Sequence, residues 1–121
     1  QLKPKYARHQ QIQPQTAPVM ADSGWKVKSL PAGFKKIMEQ KRNFPGKKVS
    51  ANHLVFSDEL VAVSVFIEPL AGMEKSVSGL SSQGAINVYT RPVADYQVTV
   101  LGEVPAATVM QIANSVFFVA K

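Results

Sequence analysis

Hydrophobic side chains recur at every second position through the middle of the chain. In the run NHLVFSDELVAVSVFIEP, residues 52–69, two apolar arms flank a polar break at Ser57-Asp58-Glu59. In the second arm Val61, Val63, Val65 and Ile67 repeat with period two, which puts them on one face of a strand. A row made only of β-branched aliphatics has to be buried. The run therefore predicts a β-hairpin with strands at residues 49–57 and 60–68. A two-residue turn at Asp58-Glu59 would pair Phe56 with Val61, Leu54 with Val63 and Asn52 with Val65. On the other side Val55 would face Ala62, His53 would face Ser64, and Ala51 would face Phe66. A tight type I′ turn needs φ > 0 at both central positions, for which Asp-Glu is poor chemistry. A longer loop with a shifted register is the alternative.

The flanking sequence supplies the other elements. Trp25 and Val27 alternate with Lys26 and Lys28 in a short first strand, and Leu30-Pro31-Ala32-Gly33 is a turn. Residues 34–43 lie between that turn and a second at Phe44-Pro45-Gly46, which favours a strand; intrinsic propensity leaves a helix open. Residues 70–82 read as a mobile Ser/Gly-rich loop. Residues 85–91 and 96–101 are two further strands joined across residues 92–95, the second with Tyr96, Val98 and Val100 on one face. Pro105 suits the first turn of a helix. In residues 106–115, Ala106, Val109, Met110 and Ala113 make an apolar stripe opposite Thr108, Gln111 and Ser115. The predicted fold class is α+β: an antiparallel sheet of about six strands with one C-terminal helix, residues 105–115, across one face. There is no internal repeat.

Length and charge narrow the picture. A chain of 121 residues is enough for one domain that folds without metals or disulfides, and it has no cysteine. That excludes thiol chemistry but assigns no compartment. Its apolar runs fall short of a membrane span, and its polar, basic start lacks a signal-peptide core. Beginning at Gln1 without methionine, it is expected to be a processed product or an excised domain. Residues 1–22 hold five glutamines and three prolines without apolar periodicity, the composition of a flexible linker or tail, leaving a single domain over residues 23–121. The net charge of +6 is unevenly placed. Residues 1–48 carry eleven Lys/Arg against two Asp/Glu (+9), and residues 49–121 carry three against six (−3). Such a field favours acidic proteins, phosphates or anionic lipid surfaces.

The inventory for catalysis is thin. The two histidines are His9, in the tail, and His53, in a strand. His53, Ser64 and Asp58 invite a triad, but all three lie on one hairpin and no oxyanion donor is suggested. A metal site needs three or four converging ligands, and the glycines around residues 79–84 are not followed by the Gly-Lys-Ser/Thr of a phosphate loop. No enzyme activity, cofactor or metal is expected. The one candidate site is basic: Lys35, Lys36, Lys41, Arg42, Lys47 and Lys48, opposed only by Glu39. In an evenly extended strand Lys36 and Arg42 share one face, and Lys35 and Lys41 the other. Lysines on an edge strand also block unwanted sheet pairing. Tight binding would need apolar anchors too. Trp25, Phe34 and Phe44 are the nearest, and each is equally a core residue.

The runs HLVFSDELVAVSVFIEPL and GLSSQGAINVYTRPVADYQVTVLGEVP, the helix ending IANSV and the opening GWKVKSLPAGF resemble, in order, the C-terminal domain of the MucB/RseB family. The resemblance covers about residues 24–118. The family consists of periplasmic negative regulators of an envelope-stress sigma factor. The resemblance implies a larger lipoprotein-carrier-like domain in front, which this chain does not contain. It also implies binding to the periplasmic part of a membrane-anchored anti-sigma factor, protection of that partner from proteolysis, and release on a lipid or lipopolysaccharide signal. One departure is Asp58-Glu59, where the pattern has Asp-Gly. Two other readings of the basic strand remain: a nucleic-acid-binding module, poorly served by the few aromatics among its basic residues, and an anionic-lipid-binding module using Lys47 and Lys48.

Overall fold

The alternating aliphatics of the central hairpin lie at the middle of a sheet, where both neighbours are strands. The computed structural model describes residues 23–43, 50–71 and 78–119, with the backbone alone at 42, 43 and 50. The expected linker at 1–22, the turn at 44–46, Lys47, Lys48 and much of the expected loop at 70–82 lie outside the described residues. In chain order the elements are β1 (Trp25–Val27), β2 (Lys35–Asn43), β3 (Ser50–Ser57), β4 (Ala62–Pro69), β5 (Gly79–Gln83), β6 (Ile86–Val93), β7 (Tyr96–Gly102), α1 (Ala106–Asn114) and β8 (Val116–Phe118). Six strands form one antiparallel sheet in the order β2-β3-β4-β7-β6-β5, and β1 pairs with β8 in a separate ribbon. The fold is α+β with one helix near the C-terminal end of the described chain.

Val63, Val65 and Ile67 are at most 1% exposed. They meet Leu54 and Phe56 of β3, Val98 and Val100 of β7, and Val109, Ile112 and Ala113 of α1 in one core, which Trp25 and Val116 also join. The expected pairing of the hairpin is shifted by two residues: Phe56 faces Val63, Leu54 faces Val65 and Asn52 faces Ile67. Because side chains alternate with period two, this shift keeps every residue on its expected face. The connection is residues 58–61. The Asp58 carboxylate accepts the amides of Leu60 and Val61, each at 3.0 Å, and the Ser57 hydroxyl donates to the Val61 carbonyl at 2.8 Å. These bonds close a wider loop, and Glu59 takes φ +84° within it.

The strand expected within residues 34–43 is present as Lys35–Asn43, with a bulge between Lys36 and Met38. Other expectations are corrected. The segment 79–82, expected in the loop, belongs to β5, paired with β6 through a two-residue turn in which Gly84 takes φ +61°. β6 runs on to Val93 through Pro92, which lies past the described pairing with β5 and faces Gln97 of β7. β1 is not a strand of the main sheet. It closes on β8, an element that three residues of sequence did not announce. In α1 Val109, Ile112 and Ala113 are all 0% exposed, while Met110 sits at the core's margin. The buried stripe is therefore rotated from the expected one. The helix ends at Ser115, whose amide bonds the Ile112 carbonyl at 3.1 Å, and the Lys28 amide bonds the Ser115 carbonyl at 3.0 Å. That second bond ties the β1–β8 ribbon to the helix end.

Candidate functional site

β2 is an edge strand, and its bulge redistributes its charges. Ile37 is the extra residue and is 52% exposed. Beyond it the alternation changes phase. Lys36 pairs with Phe56, Glu39 with Leu54 and Lys41 with Asn52, all at core-face positions, whereas Lys35 and Arg42 take register positions opposite Ser57 and Ala51. The expected grouping of Lys36 with Arg42, and of Lys35 with Lys41, is thus reversed. Lys35 and Lys41 are exposed. Lys36 is committed to Glu39. Lys47 and Lys48 lie outside the described residues.

Glu39 sits at the centre of this margin and is 1% exposed. Its carboxylate accepts the Ser23 amide at 2.9 Å, the Ser23 hydroxyl and the Lys36 ammonium. Burial by itself raises the carboxyl, but the bonds from Lys36 and from the Ser23 hydroxyl and amide outweigh it and hold it below its ordinary value. Sixteen residues of sequence separate Ser23 from Glu39, so this carboxylate fastens the first described residue to the sheet edge.

Between the β1–β8 ribbon and the β2–β3 margin lies a cleft of about 550 Å³. Its aromatic wall is a ladder: Tyr96 meets Trp25 edge-to-face at 5.1 Å, and Trp25 meets Phe118 at 5.2 Å. Trp25 is buried, Tyr96 half-buried, and Phe118 54% exposed. Glu39, Gln40, Lys41 and Asn52 line the opposite side. Gly24, at φ +91°, is what lets Phe118 lie down here. A Cβ on Gly24 would come within 2.8 Å of the Phe118 ring, and the backbone conformation itself disfavours any side chain.

Of the anchors named from sequence, Trp25 is core, Phe34 is half-buried against it, and Phe44 lies outside the described residues. Phe118, Tyr96 and Glu39 escaped notice as one site. The signal for Phe118 was present in Phe117-Phe118-Val119, an apolar run past the helix with no amphipathic reason to be there. His53 pairs across β3 and β4 with Phe66, not Ser64, and its ring stacks on that of Phe66 at 4.2 Å. The triad geometry is gone. Among the described residues no three His, Asp or Glu gather as metal ligands, and no helix is long and apolar enough to cross a membrane.

The same architecture is found in solved structures. MucB in complex with MucA(peri) aligns with a TM-score of 0.71 at 31% identity, over 84% of this chain and 38% of that one. The Pseudomonas aeruginosa MucA/MucB complex aligns with a TM-score of 0.69 at 31% identity, over 85% and 37%. MucB by itself aligns with a TM-score of 0.57 at 30% identity, over 77% and 32%. The present chain thus spans less than two-fifths of the solved chains it matches. No curated protein matches it. Residues 19–117 match the model of the MucB/RseB C-terminal domain, and the chain belongs to that family.

Proposed function

We propose that this chain is the regulatory, non-enzymatic C-terminal domain of a periplasmic protein that binds the periplasmic part of a membrane-anchored anti-sigma factor. Together with a lipoprotein-carrier-like domain it shields that partner from proteolysis and lets it go on a lipid or lipopolysaccharide signal. The supporting observation is the family match over residues 19–117, joined to a fold shared with MucB that was solved bound to MucA. The basic margin of β2, including Lys35, Lys41 and Arg42, supplies the long-range attraction to an acidic partner surface. Calorimetric titration of the natural full-length protein with the anti-sigma factor's periplasmic region tests the reading, alongside protease digestion of that region. Saturable binding and slower cleavage are expected. Absence of binding at low salt, or cleavage at an unchanged rate, refutes it.

A further inference from the structure

We infer that the cleft beside β2 is a two-point seat for an extended segment of the polypeptide partner: an apolar side chain lies on Phe118 and a nearby carboxylate meets Lys41. This inference rests on the protein-binding reading above and gives it a location and a chemistry. Three observations carry it. First, Phe118 leaves 54% of its surface open at the mouth of the cleft, although its ring is held by Trp25 and accommodated by Gly24. An aromatic ring fixed in place yet wet is the kind of group that binds with little loss of side-chain entropy. Second, the charge of the cleft is one-sided. Glu39 lines it but is committed to Lys36 and Ser23, whereas Lys41 lines it and is exposed. An approaching segment therefore meets a net positive rim, which selects a carboxylate and rejects a lysine or arginine. Third, Asn52, the cross-strand partner of Lys41, lines the same cleft. An asparagine amide offers both a donor and an acceptor, the pair a peptide group requires. A volume of about 550 Å³ holds two or three side chains and not a folded surface. The occupant is thus a segment of chain with an acidic residue close to a large apolar one.

The test uses the natural full-length protein and the anti-sigma factor's periplasmic region, by calorimetry at two salt concentrations. Phe118→Ala is expected to weaken binding about tenfold or more. Lys41→Glu is expected to weaken it about five- to tenfold, mostly at low salt. Leu80→Ser removes a comparably exposed apolar side chain, 48% exposed, on the far edge strand, and should leave affinity unchanged. Thermal melts accompany each variant, and Lys41→Glu, being a surface change, keeps the test valid if Phe118→Ala loosens the ribbon. Wild-type binding with both cleft variants unaffected, with only one of them affected, or with Leu80→Ser equally weakened overturns the seat and leaves the proposed function standing. Failure of the wild type to bind at all overturns both. A parallel arm uses vesicles containing phosphatidylglycerol. Vesicle binding lost in Lys41→Glu, with the protein titration unchanged, would assign the cleft to a membrane surface instead.

Discussion

Glu39→Gln is the substitution that probes the margin of β2 most directly. The wild-type carboxylate is 1% exposed and accepts three hydrogen bonds, from the Ser23 amide, the Ser23 hydroxyl and the Lys36 ammonium. Glutamine retains one oxygen that can accept from Ser23. Its NH₂ group cannot accept from Lys36. Breaking a trapped ion pair typically costs about 3–5 kcal/mol, but the Lys36 side chain is 29% exposed and can turn to water. What is lost is closer to one charge-assisted hydrogen bond, about 2 kcal/mol. In a domain of this size that lowers the melting temperature by roughly 10 °C. The pH dependence has a definite sign. The folded carboxyl is held below its ordinary value of 4.5. Its stabilisation is therefore complete above the unfolded carboxyl's pKa and disappears as pH falls through the folded one. The gap between wild type and variant should be full at pH 7 and close toward acid. Urea unfolding followed by the fluorescence of Trp25, the only tryptophan, reads it across a pH series. Equal midpoints at pH 7, or a gap that stays constant down to the lowest pH at which both proteins fold, would refute the assignment of the stability to an ionised Glu39.

Three further outcomes follow from the fold. Glu59→Gly should raise stability by about 0.5–1 kcal/mol in denaturant titration, since φ +84° strains a residue with a Cβ and glycine adopts it at lower cost; a loss of stability would mean that the Glu59 side chain holds the loop. Gly102→Ala should cost about 1–3 kcal/mol, because the new Cβ would lie 2.9 Å from the Ala62 carbonyl oxygen and 3.2 Å from a Val63 methyl where β4 and β7 pair. A neutral result there would show that the two strands yield easily. Ile112→Ala should cost about 2–4 kcal/mol and Met110→Ala clearly less, as only Ile112 is fully buried; the reverse order in thermal melts would contradict the orientation of α1.

How far the sequence could be read depended on the range of the interaction behind each feature. Period-two alternation in residues 61–67 identified a buried strand, and the observed register differs from the expected one by an even number of residues. The face assignment survived because face depends only on parity. The loop was harder. Asp-Glu signalled that a two-residue turn was wrong but did not give the length, which is set by Asp58 and Ser57 capping the backbone of Glu59, Leu60 and Val61. The bulge at Ile37 was illegible, since one inserted residue leaves no trace in a strand of lysines, yet it decides that Lys36 shares a face with Lys41.

The chain's order of residues determined the central hairpin, the helix after Pro105, the basic first third and the family. Each of these is written in neighbouring residues, through alternation, helical spacing, backbone restriction or an extended motif. Tertiary structure alone decided the cleft. Ser23 reaches Glu39 across sixteen positions, and Trp25 meets Phe118 through the pairing of β1 with β8 from opposite ends of the described chain. No local pattern encodes such contacts. They exist because β1 pairs with β8 and the Lys28 amide ties that ribbon to Ser115 at the helix end, and that closure leaves Phe118 held by Trp25 at the cleft mouth beside the charged edge of the sheet.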